Sequence, residues 1–265
     1  MKLNLVPART GVLWVKLGIR TFFRQPLALA GLFFLYMAAM LLVSQVPVIG
    51  PIIGGMLVPA MTLGLMAATA EATKGKFPLP TVLLSAFRAG RQRARAMLVL
   101  GVIYTVGSLL ATGLAALIGG PLTVAAPGAD AAGGPQLDAS VLIALVLHAP
   151  LFLLFWHAPA LVHWHGVPPA KSLFFSAVAC LRNIGAFTVY GVLWGGVFLG
   201  VSLVLGMLGV ALGGGEGVRS VMMPTVLLLA AMFSTSMYFT FRDCFAADDE
   251  AEEQAQRQPP GGDVP

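Results

Sequence analysis

The chain has 265 residues, of which 58% are hydrophobic and 10% charged, with a formal net charge of +5 and a mean hydropathy of +0.87. Soluble globular domains carry about 25% charged residues, so this composition excludes a soluble protein and indicates an integral membrane one. The basic excess sits beside apolar runs and no nucleic-acid motif accompanies it, so RNA or DNA is not expected as a partner.

In chain order, the first predicted element is a basic amphipathic helix. Lys16, Arg20 and Arg24 recur every fourth residue and share one face, while Val12, Val15, Ile19, Phe22 and Phe23 cover another and Trp14 suits the headgroup region. Such a helix is expected to lie in the plane of the inner leaflet. The apolar run that follows begins only near Pro26, and the small residues Ala28 and Ala30 open it instead of closing it, so it is expected to be retained as a span and not cleaved as a signal.

Runs of about 20 apolar residues are needed to cross a hydrocarbon core of about 30 Å. They occur at roughly 26 to 46, 47 to 70, 96 to 120, 139 to 163, 184 to 212 and 220 to 241. The second contains Pro47, Pro51 and Pro59, and is expected to be either a kinked span or a re-entrant one. A second basic amphipathic stretch precedes the third run, with Arg88, Arg91 and Arg95 on one face and Val82, Leu83, Leu84 and Phe87 opposite.

Short cytoplasmic loops carry the Lys and Arg excess of membrane proteins. Fifteen of the sixteen basic residues here fall on one side of a six-span chain, with Arg219 alone opposite, so both termini are expected in the cytoplasm. The loops near 121 to 138 and 213 to 219 are expected outside and are too short for a folded domain. Residues 1–245 form one membrane domain. The tail 246–265, with Asp248, Asp249, Glu250, Glu252 and Glu253, is expected to be disordered and cytoplasmic. Cys180 and Cys244 map to the reducing side, where a disulfide is not expected.

Three segments share a grammar of amphipathic stretch, Arg followed by an amide residue, and an apolar span: Arg24-Gln25, Arg91-Gln92 and Arg182-Asn183. The second and third copies align at an offset of 91, which superposes Pro78 on Pro169, Ser85 on Ser176 and Arg91 on Arg182. The expected architecture is all-α: a polytopic membrane protein of six transmembrane helices with cytoplasmic interfacial amphipathic helices, in a three-fold hairpin repeat about an axis along the membrane normal.

The stretch HAPLFLLFWHAPALVHWH, from His148 to His165, holds all four histidines. At about 100° per residue, with His148 at zero, His157 falls near 180°, His163 near 60° and His165 near 260°. They share no face, and no histidine or in-span carboxylate exists elsewhere to complete a metal or haem site, so neither metal nor cofactor is expected. His157, His163 and His165, with Trp156 and Trp164, are expected to form an interfacial belt. The two His-Ala-Pro triplets mark kinks. His148 lies near mid-membrane, where Ser108, Thr112 or Ser202 could satisfy it.

Acids inside spans, usual in ion-coupled transporters, are absent apart from Glu71 at a span end. No catalytic motif is present, so an enzyme is not expected. Small residues at four-residue spacing, Gly50 and Gly54, Gly191 and Gly195, and Gly196 and Gly200, are expected to pack the protein's own bundle before any homo-oligomer interface.

The segments FFRQP, VPVIGPIIGGMLVPAMTLGL and SAVACLRNIGAF resemble those of a family of bacterial six-span inner-membrane proteins of unknown function. The hairpin grammar is more loosely similar to membrane domains found beside glycerophosphodiesterases, whose catalytic domain this chain lacks. The expected function is a non-enzymatic membrane module that binds anionic lipid headgroups or a membrane partner at its cytoplasmic face. Lys16, Arg20, Arg24, Arg88, Arg91, Arg95, Arg182 and Asn183 are its candidate contacts. The competing expectation is a small-solute permease or channel lined near His148.

Overall fold

The computed structural model describes residues 2–120, 139–211 and 215–245, with side chains from 140 and from 220 in the last two segments. The acidic tail, residues 121–138, the loop 212–214 and the side chain of Arg219 lie outside the described residues. Regular structure among those described is helical throughout.

Six helical segments are long and apolar enough to cross a membrane: Pro26–Ser44, Ile49–Thr73, Arg91–Gly119, Ser140–His165, Ile184–Ala211 and Ser220–Cys244. The doubtful second run is settled as one helix of 25 residues, α3 (Ile49–Thr73), which carries Pro59 in its interior. At 1.5 Å per residue it extends about 37 Å, enough for a hydrocarbon core without re-entry. Leu27, Leu117 and Val210 are more than four-fifths exposed. Such side chains on long helices suit contact with lipid tails.

Each pair of spans is preceded by a short helical segment, three times along the chain: α1 (Thr10–Arg24) before α2 (Pro26–Ser44), α4 (Ser85–Arg88) before α5 (Arg91–Gly119), and α8 (Pro169–Arg182) before α9 (Ile184–Ala211). The first and third copies share a register. Their short helices end at Arg24 and Arg182, and the chain turns at Gln25 and Asn183. Pro26 has no N–H to continue α1. The second copy departs from this. Its basic stretch is a 3₁₀ turn, Pro80–Leu84, followed by the four-residue α4, and the break falls at Gly90, where φ is +101°. Arg88 therefore stands before the break, while Arg91 and Arg95 belong to the first turns of α5, so the amphipathic helix expected to carry all three does not form. Glycine tolerates this φ because it lacks a Cβ.

The chain divides into two compact units. One comprises residues up to Leu35, Leu65–Leu83 and the chain from Val178 onward. Its centre is α1 packed on α9 and on α10 (Gly215–Cys244). The approach is close because the contact face of α1 is small: a Cβ on Gly11 would lie 2.3 Å from the Ala186 carbonyl oxygen, and one on Gly18 would lie 2.3 Å from Ser236 Cβ. Trp14 lies between these glycines and is fully buried, with its ring 5.2 Å from Phe187 and 6.0 Å from Tyr190. This corrects the expectation of Trp14 at the headgroups. Helix α1 has apolar residues on two sides, and the one bearing Trp14, Val15 and Phe22 is buried against protein, whereas Val12 and Phe23 are exposed.

On α9 the buried stripe is Ala186, Tyr190 and Trp194. Gly191, Gly195, Gly196 and Gly200 lie off it, and a Cβ at any of them would meet no described atom within 4 Å. The expected intramolecular packing of these four is thus not found. It does hold for Gly50 and Gly54, which approach Val43 and Met40.

The other unit comprises Tyr36–Gly64 and Leu84–Ala177. Helix α5 packs there on α6 (Ala139–Phe155) and α7 (Ala158–His165). A Cβ on Gly101 would lie 2.3 Å from the Met56 carbonyl oxygen. The two His-Ala-Pro triplets behave differently. Pro150 lies inside α6, whereas Pro159 opens α7 after a break at Trp156 and His157. There the Ser176 hydroxyl is inserted into the helical ladder, donating to the Leu153 carbonyl at 2.8 Å and accepting the His157 N–H at 2.9 Å. Insertion of a side chain between an i carbonyl and an i+4 N–H is a known cause of a sharp kink. His157 is fully buried at this break, so it does not belong to the expected interfacial belt; His163, Trp164 and His165 remain partly exposed.

Candidate functional site

Asn183 was expected to offer its amide to a ligand. It is 2% exposed, and its amide is committed internally. Its Oδ1 accepts the Val6 N–H at 2.8 Å, while its Nδ2 donates to the carbonyls of Ala179 at 3.0 Å and Asn4 at 3.1 Å and lies 3.6 Å from Cys244 Sγ. The Asn4 N–H also donates to the Cys244 carbonyl at 2.9 Å. Asn183 therefore ties the segment before α1 to the start of α9 and the end of α10. Nearby, Trp14 Nε1 donates to Asp243 Oδ2 at 2.9 Å, and Asp243 Oδ1 pairs with Arg242 at 2.8 Å. Asp243 is the in-fold acid that sequence reasoning passed over in favour of the acidic tail beyond it.

Cys180 is buried in α8, and burial pushes its thiol up to about 12 from an ordinary 9.0. The thiolate is the reactive form. Iodoacetamide near neutral pH is accordingly expected to leave Cys180 unmodified in the folded protein and to label it after denaturation, as read by intact mass. The unfolded thiol ionises first as pH rises, so the contribution to stability is complete below about 9.0 and declines from there toward about 12. Rapid labelling of native protein at neutral pH would contradict this environment.

His148 is half-buried on α6. Its Nδ1 lies 2.8 Å from the Ala144 carbonyl and its Nε2 lies 3.4 Å from the Ser108 hydroxyl, so Ser108 is the partner among the three candidates named for it. Among the described residues no group of three His, Cys, Asp or Glu side chains could hold a metal ion.

The expected basic contacts are exposed: Lys16, Arg20 and Arg24 along one face of α1, Arg88 on α4, Arg91 and Arg95 at the start of α5, and Arg182 at the end of α8. None of them forms an ion pair among the described residues. Gln92, the amide of the second repeated pair, and Arg93, which the sequence did not single out, line a pocket of about 340 Å³ where α5 begins. Its other walls are Ala96, Val162 of α7 and the turn from Gly166 to Pro169. Gly166 ends α7 in the left-handed region, and its N–H is held by the Leu161 and Val162 carbonyls. Residues 66 to 77 positions apart in the chain form this pocket, and no local spacing could have disclosed it.

Six apolar spanning helices and short basic segments at their starts define an α-helical, multi-pass membrane protein. The chain is similar to a probable inner membrane protein of Burkholderia thailandensis, 43% identical over 258 residues that cover 94% of this chain and 96% of the relative. It belongs to that family of inner-membrane proteins. No family model matches the chain, and no solved structure matches it.

Proposed function

We propose that this protein is a non-enzymatic membrane module that holds anionic phospholipid headgroups against its Lys- and Arg-bearing side. The observation that carries the reading is the set of exposed side chains of Lys16, Arg20, Arg24, Arg88, Arg91, Arg95 and Arg182, none of which forms an ion pair among the described residues. Their positions before the spans favour headgroup depth, where each would contribute about 1 kcal/mol of attraction to an anionic surface. The same distribution orients both termini to the cytoplasm. A small-solute path past His148 has less in its favour, because both ring nitrogens face partners within the unit, the Ala144 carbonyl and Ser108.

The test is native mass spectrometry of protein released from nanodiscs containing phosphatidylcholine with phosphatidylglycerol. Selective retention of phosphatidylglycerol is expected. Changing Arg24, Arg91 and Arg182 together to Gln is expected to lower it about a hundredfold, on the scale of three surface charges at about 1 kcal/mol each. Equal retention of both lipids, or no loss in the triple variant, would defeat the proposal.

A further inference from the structure

We infer that the pocket at the start of α5 is a seat for a phosphate group, built by Arg93, Gln92 and the first turn of that helix. The inference rests on the lipid-binding reading in that it names which site selects the headgroup. Its support is chemical. The pocket encloses about 340 Å³, within the size range of small-ligand sites. Its lining has one full charge, the Arg93 guanidinium, and one amide, Gln92, and it has no carboxylate. Pro168 and Pro169 in the lining have no N–H, and those of Gly166 and Val167 are bound to the Val162 and Leu161 carbonyls, so α5 supplies the donors that remain.

Arg91, Gln92 and Arg93 are also the first residues of α5, and their N–H groups have no intrahelical acceptor. Gly90 provides no capping side chain. A guanidinium beside free helix N-terminal N–H groups matches the oxygens of a phosphate, which accept bidentate hydrogen bonds and favour the positive end of the helix dipole. His163, next to Val162 in the wall and within electrostatic reach of Arg93, has a buried Nδ1 without a hydrogen-bond partner among the described residues. A zwitterionic headgroup would meet no acid in this lining to receive its ammonium. The site therefore prefers a phosphate with no attached cation, either the phosphoglycerol of a lipid or a free phosphate ester.

The experiment uses full-length protein in phosphatidylcholine nanodiscs, with and without phosphatidylglycerol, and in a separate arm titrates glycerol phosphate calorimetrically into the phosphatidylcholine discs. Arg93→Gln and the pocket-filling Ala96→Phe are compared with wild type. Either variant is expected to lower binding at least about tenfold, the scale of a lost charge-assisted pair. Because Ala96→Phe leaves every charge in place, its effect separates a pocket from a diffuse charged surface. Loss of phosphatidylglycerol in both variants supports the lipid headgroup as occupant. If wild type binds glycerol phosphate, both variants lose it, and phosphatidylglycerol is retained no better than phosphatidylcholine, the phosphate seat stands while its lipid occupancy and the lipid-binding reading both fall. If phosphatidylglycerol is retained as well by both variants as by wild type, and still lost from the Arg24, Arg91 and Arg182 triple variant, the pocket inference falls while the lipid-binding reading stands. If wild type binds neither, both fall.

Discussion

Replacing Asn183 by Ala is expected to destabilise the unit containing α1, α9 and α10 by about 2–4 kcal/mol, because it strands at least two backbone groups at once. The Val6 N–H loses its acceptor, and the Asn4 carbonyl loses its donor. Each buried polar group left unsatisfied costs about 1–3 kcal/mol. Thermal unfolding in detergent should show a lower midpoint, and limited proteolysis should begin cutting ahead of Thr10. Asn183→Asp should be worse, since a carboxylate cannot donate to the Ala179 and Asn4 carbonyls and would face them as an unpaired charge. Retention of wild-type stability and protease resistance by the alanine variant would show that this amide does not hold the chain end in place.

The second large effect separates glycines that look alike in sequence. A Cβ on Gly18 would lie 2.3 Å from Ser236 Cβ and 2.8 Å from its Cα, so relief requires moving α1 away from α10. Ser236 cannot yield cheaply. Its hydroxyl donates to the Phe233 carbonyl at 2.6 Å and accepts from Tyr190 at 2.6 Å and Trp194 at 3.1 Å. Gly18→Val is expected to cost about 3 kcal/mol or more, the upper range for overpacking a close contact. Gly195→Ala, with no described atom within 4 Å of the added carbon, should be neutral or stabilising by up to about 1 kcal/mol, the helix preference of Ala over Gly. Unfolding midpoints of the two variants decide the matter. Equal losses would mean that the α9 glycines are packed against something as tightly as Gly18 is.

Hydropathy and charge made the spans legible because both are additive along the chain: a run such as Ile184–Ala211 announces itself whatever packs beside it. Local periodicity failed where an element has two apolar faces. Trp14 and Phe23 are both compatible with lipid, and only the proximity of Gly11 and Gly18 to other helices decides that Trp14 turns inward. The glycines of α9 illustrate the same limit, since four-residue spacing states that a close approach is permitted and not that one occurs. His157 was misplaced because its depth was counted along an unbroken helix, whereas Ser176 opens the ladder at that point and the ring is fully buried. Asn183 was legible as an unusual residue, but its role depends on Asn4, Val6 and Cys244, at the two ends of the described chain. The pocket beside Arg93 joins residues from two different spans and was hidden for the same reason.

The bond from Asn4 to the Cys244 carbonyl, closed over by Asn183, has a consequence for biogenesis. During synthesis the first span can enter the bilayer early, since apolarity alone drives insertion, but the Asn4 N–H has no acceptor until Cys244, at the end of the last helix, has left the ribosome. Insertion and locking are thus separated by nearly the whole time of translation. A ribosome halted before Cys244 would leave the earlier spans inserted and the amino-terminal segment held by Asn183 but short of its last bond, a mark by which quality-control proteases could recognise an unfinished chain.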